Sequence, residues 1–347
     1  MSEVVVTLHQ NAANPVESKA SKIVEAYGLR KCPKLVEQCQ AEDIVVRVNA
    51  LTVLCEEFRN PSSIRECCKA NSIDVLSKLI LDADYMCRFR SSQALAIAAE
   101  DANGFASMLD KQVIPTILKG IHDSATEVRS NVFECMYQCS RIANGIDAIV
   151  KAGGVGMFVK SVVTETDLLK IPLLKALYNC VKTEDGLNNA LDAKAVSVCV
   201  DLLANGTEEV AAEACRTLGF LCYCEEAKDQ ALECGAIPKL IDLLKSRSKP
   251  LRLSCSIALM AITSTDEGKR QMTGNGAAVA ALLIDPDLAV KMNALKVIAN
   301  IAVNPKVRKE LLDHDTCESS IAKMVASGDK ILIKHAQIAL DSVKWKA

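Results

Sequence analysis

Apolar side chains recur along this chain at two nested intervals. The longer one is 41 residues: Leu54, Leu95, Met136, Leu177, Leu218 and Leu259 keep it without slippage, and small length changes carry it on to Ile298 and Leu340. A second ladder runs through Cys32, Ile73, Ile114, Val155, Val196 and Ile237, then slips by one residue to Ala278 with Val279 and Ser320 with Ile321. The segments VIPTILKGIHD (113–123) and AIPKLIDLLKS (236–246) are near copies three periods apart. The shorter interval is helical. An apolar anchor is followed by a small residue four places on and apolar residues seven and eight places on, as in Leu251, Cys255, Ala258 and Leu259, or Val290, Ala294, Val297 and Ile298. That spacing lines one face of an α-helix.

Each repeat has the same internal grammar. Pro33, Pro115 and Pro238 stand where a helix begins, and proline in a first turn sacrifices no hydrogen bond. A polar turn follows (AEDIVVR, DADYMCR, TETDLLK, ANGTEEVA, DPDLAVK), whose Asp, Thr and Asn side chains suit the N-cap of the next helix. Small residues at Ala50, Ser91, Ala214, Cys255, Ala294 and Ala336 would let neighbouring helices approach closely. A short segment such as GIDAIVKAGG or KDQALECG then leads to the next repeat, with Gly153, Gly154 and Gly235 reading as helix stops. Three helices per repeat, the first short, describe the armadillo unit; the two-helix HEAT unit is the nearest alternative. The fold expected is all-α: an armadillo-type right-handed superhelical solenoid of about eight repeats over residues 30–347. An N-terminal extension or capping segment, 1–29, precedes it.

Composition narrows the function. Half of the 347 residues are hydrophobic, enough for a long continuous core, while only 3% are aromatic, against the usage of β-sandwiches and barrels. A net charge of −2 gives no basic footprint for nucleic acid or a membrane surface, and neither is expected as a partner. No stretch is long and apolar enough to span a bilayer, and MSEVVVTLHQ does not read as a secretory signal. The sixteen cysteines fit a reducing compartment and small buried thiols between helices. They form no C-x-x-C, and His9, His122, His314 and His335 are scattered, so no metal is expected. GGVG at 153–156 lacks the strand before it and the Lys-Ser/Thr after it that a phosphate loop needs. No catalytic constellation and no cofactor site emerge: the reading is not an enzyme.

One charged feature recurs. Arg47, Arg88, Arg129, Lys170, Arg252 and Lys291 each follow the anchor of a core helix, where a cation opposes the helix dipole. Acidic residues in the turns offer a reason, an Arg–Asp ladder between successive repeats, expected to be exposed and so to contribute about 0–1 kcal/mol per pair. The sixth and tenth places after each anchor would line the groove of an armadillo array. They supply the candidate protein-binding residues Gln93, Glu134, Gln138, Lys175, Asn179, Arg216, Phe220, Ile257, Lys296 and Asn300. Receptors of the importin-α type carry Trp at the sixth place and Asn at the tenth. Here no sixth place is Trp, and only Asn179 and Asn300 are Asn at the tenth, so import of basic signals is not expected.

The passages AYGLRKCPKLVEQCQ, VRVNALTVLCEEF, ALDAKAVSVCVDLL, ALMAITSTDEGKRQM and KHAQIALDSVKWKA, in this order over almost the whole chain, carry a closer likeness. Together they resemble the radial spoke head 14 family, armadillo-type proteins of ciliary radial spokes. The resemblance implies a non-enzymatic structural subunit of the axoneme in motile cilia and flagella, a monomer within a large complex. Its partners would be other radial spoke and axonemal proteins, and its role would support the regulation of dynein-driven beating. The alternative is a cytosolic armadillo adaptor that binds an extended peptide of a protein partner.

Overall fold

A computed structural model describes residues 26–327 and 329–345. The first twenty-five residues of the expected N-terminal extension, with His9 and MSEVVVTLHQ, lie outside the described residues. Helices joined by short turns account for the fold, and no strand occurs among the described residues. Among the described residues eight long helices recur: α1 (Ile44–Glu57), α2 (Tyr85–Glu100), α3 (Thr126–Cys139), α4 (Asp167–Cys180), α5 (Glu208–Leu221), α6 (Lys249–Ile262), α7 (Leu288–Ile301) and α8 (Lys330–Lys344). From α2 onward each is preceded by two shorter helices, as Pro61–Lys69 and Ser72–Leu79 precede α2. This is the three-helix armadillo unit, and the fold is an all-α armadillo-type solenoid.

The repeats fall into two compact units, Met1–Ala152 and Gly153–Ala347. In the first, α1 packs on α2 and α2 on α3; in the second, α4 to α8 pack in sequence. Both cores are the ladders read from the sequence. Leu54, Leu95, Met136, Leu177, Leu218, Leu259 and Ile298 are buried, as are Ile73, Ile114, Val155, Val196 and Ile237. Where the second ladder slips, Val279 and Ile321 take the buried place rather than Ala278 and Ser320. The last rung differs: Leu340 is only half-buried and Ala339 is the buried residue. Small residues sit at the close approaches, with Ala50, Ser91, Ala214, Cys255, Ala294 and Ala336 fully buried.

The turns carry regularities beyond the apolar pattern. Asn71, Gln112, Gly153, Lys194 and Gly235, each 41 residues from the last, all have positive φ, between +51° and +74°. Each joins the first helix of a repeat to the second through one left-handed residue. Gly153 and Gly235 thus do the work expected of them, whereas Gly154 opens the helix Gly154–Thr164 and is not a stop. A second set, which includes Gly104 and Gly186, lies in the first helix of its repeat. A Cβ at Gly186 would stand 2.0 Å from the carbonyl oxygen of Cys180, and one at Gly104 would stand 2.2 Å from that of Ala98. Only glycine lets the short helix cross so near the end of the preceding long one.

The cation row has a firmer role than a surface ladder. Arg47 Nη1 donates to the carbonyls of Ala41 and Glu42 (both 2.9 Å), Arg88 Nη1 to Asp82 (3.1 Å) and Ala83 (3.0 Å), and Arg252 Nη1 to Ser246 (3.1 Å) and Arg247 (2.8 Å). Arg129 makes the same two bonds, to Asp123 at 2.9 Å and Ser124 at 3.2 Å. The guanidinium closes the turn before its own helix and then reaches the next repeat. Arg47 pairs with Asp82 at 3.5 Å, Arg88 with Asp123 at 2.6 Å, and Arg252 with Asp285 at 2.5 Å. Contrary to the exposed pairs expected, the Arg252 and Asp285 side chains are only 13% and 5% exposed. Burial alone would raise the Asp285 carboxyl. Hydrogen bonds from Arg252 and from the Asp287 amide outweigh it, and the group lies below the usual aspartate range. Lysine cannot hold two carbonyls and a carboxylate in one plane. Lys170 instead pairs with Asp167 in its own first turn at 2.9 Å, and Asp167 accepts the Thr207 amide of the next repeat at 3.0 Å.

Candidate protein-binding site

The ten residues proposed from the sequence all lie on the long helices and all are half-buried. In the first unit, α2 supplies Gln93 and α3 supplies Glu134 and Gln138. In the second, α4 supplies Lys175 and Asn179, α5 Arg216 and Phe220, α6 Ile257, and α7 Lys296 and Asn300. Helical spacing explains the placement. The sixth and tenth places follow one another on the flank of the buried stripe, so within each unit the long helices set these side chains in a row.

The first unit's ridge is polar, and its two glutamines are held by neighbouring side chains. Gln93 Oε1 accepts from Arg90 Nη1 at 2.9 Å, Gln138 Nε2 donates to Glu134 Oε1 at 2.6 Å, and Arg141 Nη1 donates to Gln138 Oε1 at 2.8 Å. Arg90 also lies over the Phe89 ring, 5.2 Å from its centroid.

The second unit brings together a different set. Tyr178 on α4 stands with two cations against its ring, Arg216 Cζ and Lys182 Nζ, each 4.2 Å from the centroid. Phe220 meets Tyr178 edge-on at 5.9 Å, and Tyr223 meets Phe220 at 5.4 Å. Arg216 pairs with Glu213 at 2.7 Å, one turn earlier on α5. Lys182 donates to a neutral partner, Asn179 Oδ1, at 3.0 Å. Partial desolvation and the neighbouring Arg216 charge both lower the Lys182 ammonium from the usual lysine value. Asn300 plays a structural part. Its Nδ2 donates to the Met260 carbonyl at 3.2 Å and to Thr263 Oγ1 at 3.3 Å, joining α7 to the end of α6. Ile257 touches the close approach of α5 and α6, since a Cβ on Gly219 would lie 3.2 Å from its Cγ2.

Sequence reasoning found Lys175, Asn179, Arg216 and Phe220 but missed Tyr178, Lys182 and Tyr223, which complete the cluster. A signal was available. Aromatics are scarce in this chain, and Tyr178, Phe220 and Tyr223 come within reach of one another once the 41-residue register is laid down.

The buried thiols are held in their protonated form. Most of the cysteines are buried, and burial pushes Cys39, Cys180, Cys199 and Cys222 up to about 12. Among the described residues no group of three or more His, Cys, Asp or Glu is arranged to hold a metal ion. Nor, among them, is any helix long and apolar enough to cross a membrane.

No protein-family model matches the chain. Solved structures do. An engineered protein superposes with a TM-score of 0.83 at 25% identity, over 91% of this chain and 79% of its own. A computationally designed armadillo repeat protein for modular peptide recognition gives 0.63 at 22% identity, over 67% of this chain and 99% of its own. A designed armadillo repeat protein in complex with the peptide (KR)4 gives 0.61 at 22% identity, with the same coverage. These likenesses establish the armadillo fold.

Proposed function

We propose that this protein is a non-enzymatic armadillo scaffold whose long-helix ridge engages segments of other proteins, and that it serves as a structural subunit of the radial spoke in the axoneme of motile cilia and flagella. One observation carries the binding half: the cluster of Tyr178, Lys182, Arg216, Phe220 and Tyr223, in which aromatic faces and cations of the kind enriched at binding hot spots stand together on the ridge. Similarity to armadillo proteins designed for peptide recognition supports it. The spoke half is supported by the ordered sequence resemblance to the radial spoke head 14 family. In such a place each repeat, packed on its neighbours within a unit, offers its long-helix face to partners.

The test is a tagged copy expressed in a flagellate that lacks the spoke protein, followed by crosslinking mass spectrometry on isolated axonemes. The expected result is axonemal retention with crosslinks from Lys175, Lys182 or Lys296 to spoke subunits. A chain that stays in the soluble fraction, with no spoke crosslinks, overturns the spoke assignment. Soluble behaviour with crosslinks from the same lysines to one cytosolic protein would instead establish the second reading, a cytosolic adaptor for an extended peptide, which the peptide-recognising designs favour.

A further inference from the structure

We infer that the ridge of the second unit, around Tyr178, Lys182, Arg216, Phe220 and Tyr223, receives an acidic protein segment that also carries an aliphatic or aromatic side chain. The inference rests on the scaffold reading above and specifies its ligand. The geometry is the first ground. Two cations share one tyrosine ring at 4.2 Å each, so their positive charge is gathered at a single point of the ridge. Glu213 answers part of it, on the Nη2 edge of Arg216. A guanidinium has five donors and an ammonium three, so both heads retain capacity for an incoming carboxylate.

The burden on Lys182 is the second ground. Its side-chain acceptor is the neutral Asn179, and the Arg216 charge disfavours its protonated form. A carboxylate placed between the two heads would relieve that repulsion. Apolar surface is the third ground. Tyr223 is 65% exposed beside Phe220, a flat patch on which one ring or branched side chain of the segment could lie. Two other sixth-place residues of the unit carry the same sign, Lys175 on α4 and Lys296 on α7, with the apolar Ile257 on α6.

Two other ligands fit less well. A basic segment such as the (KR)4 held by a designed armadillo protein would meet like charge along this ridge. A nucleic acid, with one phosphate per nucleotide, calls for a longer positive track than this short cluster offers in a chain of net charge −2.

The experiment uses the full chain and fluorescence anisotropy with three end-labelled probes: the octapeptide Asp-Glu-Leu-Asp-Glu-Phe-Asp-Glu, its counterpart with Lys and Arg in place of the acids, and an oligothymidylate of eight nucleotides. The acidic peptide is expected to bind saturably, and the variant Lys182→Glu/Arg216→Glu to weaken it by about tenfold or more, since removing a paired charge acts mainly on dissociation. Lys323→Glu/Lys330→Glu, an equal change of charge at exposed positions elsewhere in the unit, should leave it nearly unchanged. Circular dichroism checks each fold; should the double variant misfold, Lys182→Glu alone, at an exposed side chain, carries the test with a loss of several-fold. No binding of the acidic peptide, equal binding of either other probe, or an equal loss in the control variant overturns the inference. The two readings fail separately. A chain retained in axonemes that ignores the acidic peptide keeps the scaffold and loses this ligand. A chain that binds the peptide but never enters axonemes keeps the ligand and loses the spoke.

Discussion

The ridges of the two units are built on the same repeat and spend it differently. In the first, Arg90 holds Gln93, and Glu134 and Arg141 both hold Gln138, so each glutamine has an answering group on its own helix or just past its end. In the second, the corresponding stretch of α4 and α5 sets two cations on one aromatic ring and leaves Tyr223 in solvent. The first ridge has little to gain from a ligand, because new contacts would replace bonds already made. The second has charge and apolar surface still to be satisfied. Beneath both lies the same buried ladder, which means that binding can change along an armadillo array without any change in its core.

That shared core gives the largest expected effects. Leu95→Ala in the first unit and Leu218→Ala in the second each remove a fully buried side chain between stacked helices, at a cost of about 2–5 kcal/mol. Chemical denaturation of both variants measures this. If one leucine were silent and the other costly, the ladders would not be equivalent and the comparison would fail at its base.

Next come the arginine clamps, one tested in each unit. Arg88→Ala and Arg252→Ala each release two turn carbonyls and strand a largely buried carboxylate, costing about 1–3 kcal/mol. The second also has a pH signature. The Asp285 carboxyl is lowered in the folded protein, so its contribution is complete above the unfolded aspartate value of about 3.9 and is lost as pH falls through the folded one. Arg252→Ala should therefore lose less stability than wild type between pH 5 and pH 2, read from thermal melts across that range. An equal acid-side loss would mean that the clamp leaves Asp285 untouched.

These clamps also mark how far the sequence could be read. The apolar ladders were fully legible, because burial in a solenoid repeats with the chain and every internal rung is dry. The last rung departs from the rule: periodicity points to Leu340, which is half-buried, while the structure buries Ala339 one residue earlier. The Arg–Asp pairing was legible as charge, whereas its burial was not, because the turn carbonyls that draw the guanidinium inward carry no side-chain signal. The binding cluster was half visible. Arg216 and Phe220 fall on the expected places, but Lys182 lies beyond the end of α4 and reaches back, a path that helical spacing does not describe.

A smaller effect separates the ridges directly. Tyr178→Ala removes the ring that holds Arg216 and Lys182 and should cost about 1–2 kcal/mol. Gln138→Ala, on the first ridge, exchanges protein hydrogen bonds for water and should stay within about 0.5 kcal/mol of wild type. Thermal unfolding of the pair would sharpen the contrast, and equal losses would remove it.

The smallest effect concerns what the units share. Gln112 in the first and Lys194 in the second hold the left-handed residue of the same turn, with φ of +51° and +63°, where Gly153 and Gly235 stand in other repeats. A side chain with a Cβ costs roughly 1 kcal/mol in that conformation, while glycine in the unfolded chain gives back part of the gain through its greater freedom. Gln112→Gly and Lys194→Gly should therefore each raise stability by a few tenths to about 1 kcal/mol. Gly235→Ala, the reverse change at the same place in a later repeat, should lower it by about as much. The sign of the three shifts matters more than their size. Agreement in both units would show that one backbone rule sets the angle between the first and second helices throughout. A loss of stability at Lys194→Gly with a gain at Gln112→Gly would mean instead that the Lys194 side chain is held by contacts its counterpart lacks, and that the units differ in their turns as well as on their ridges.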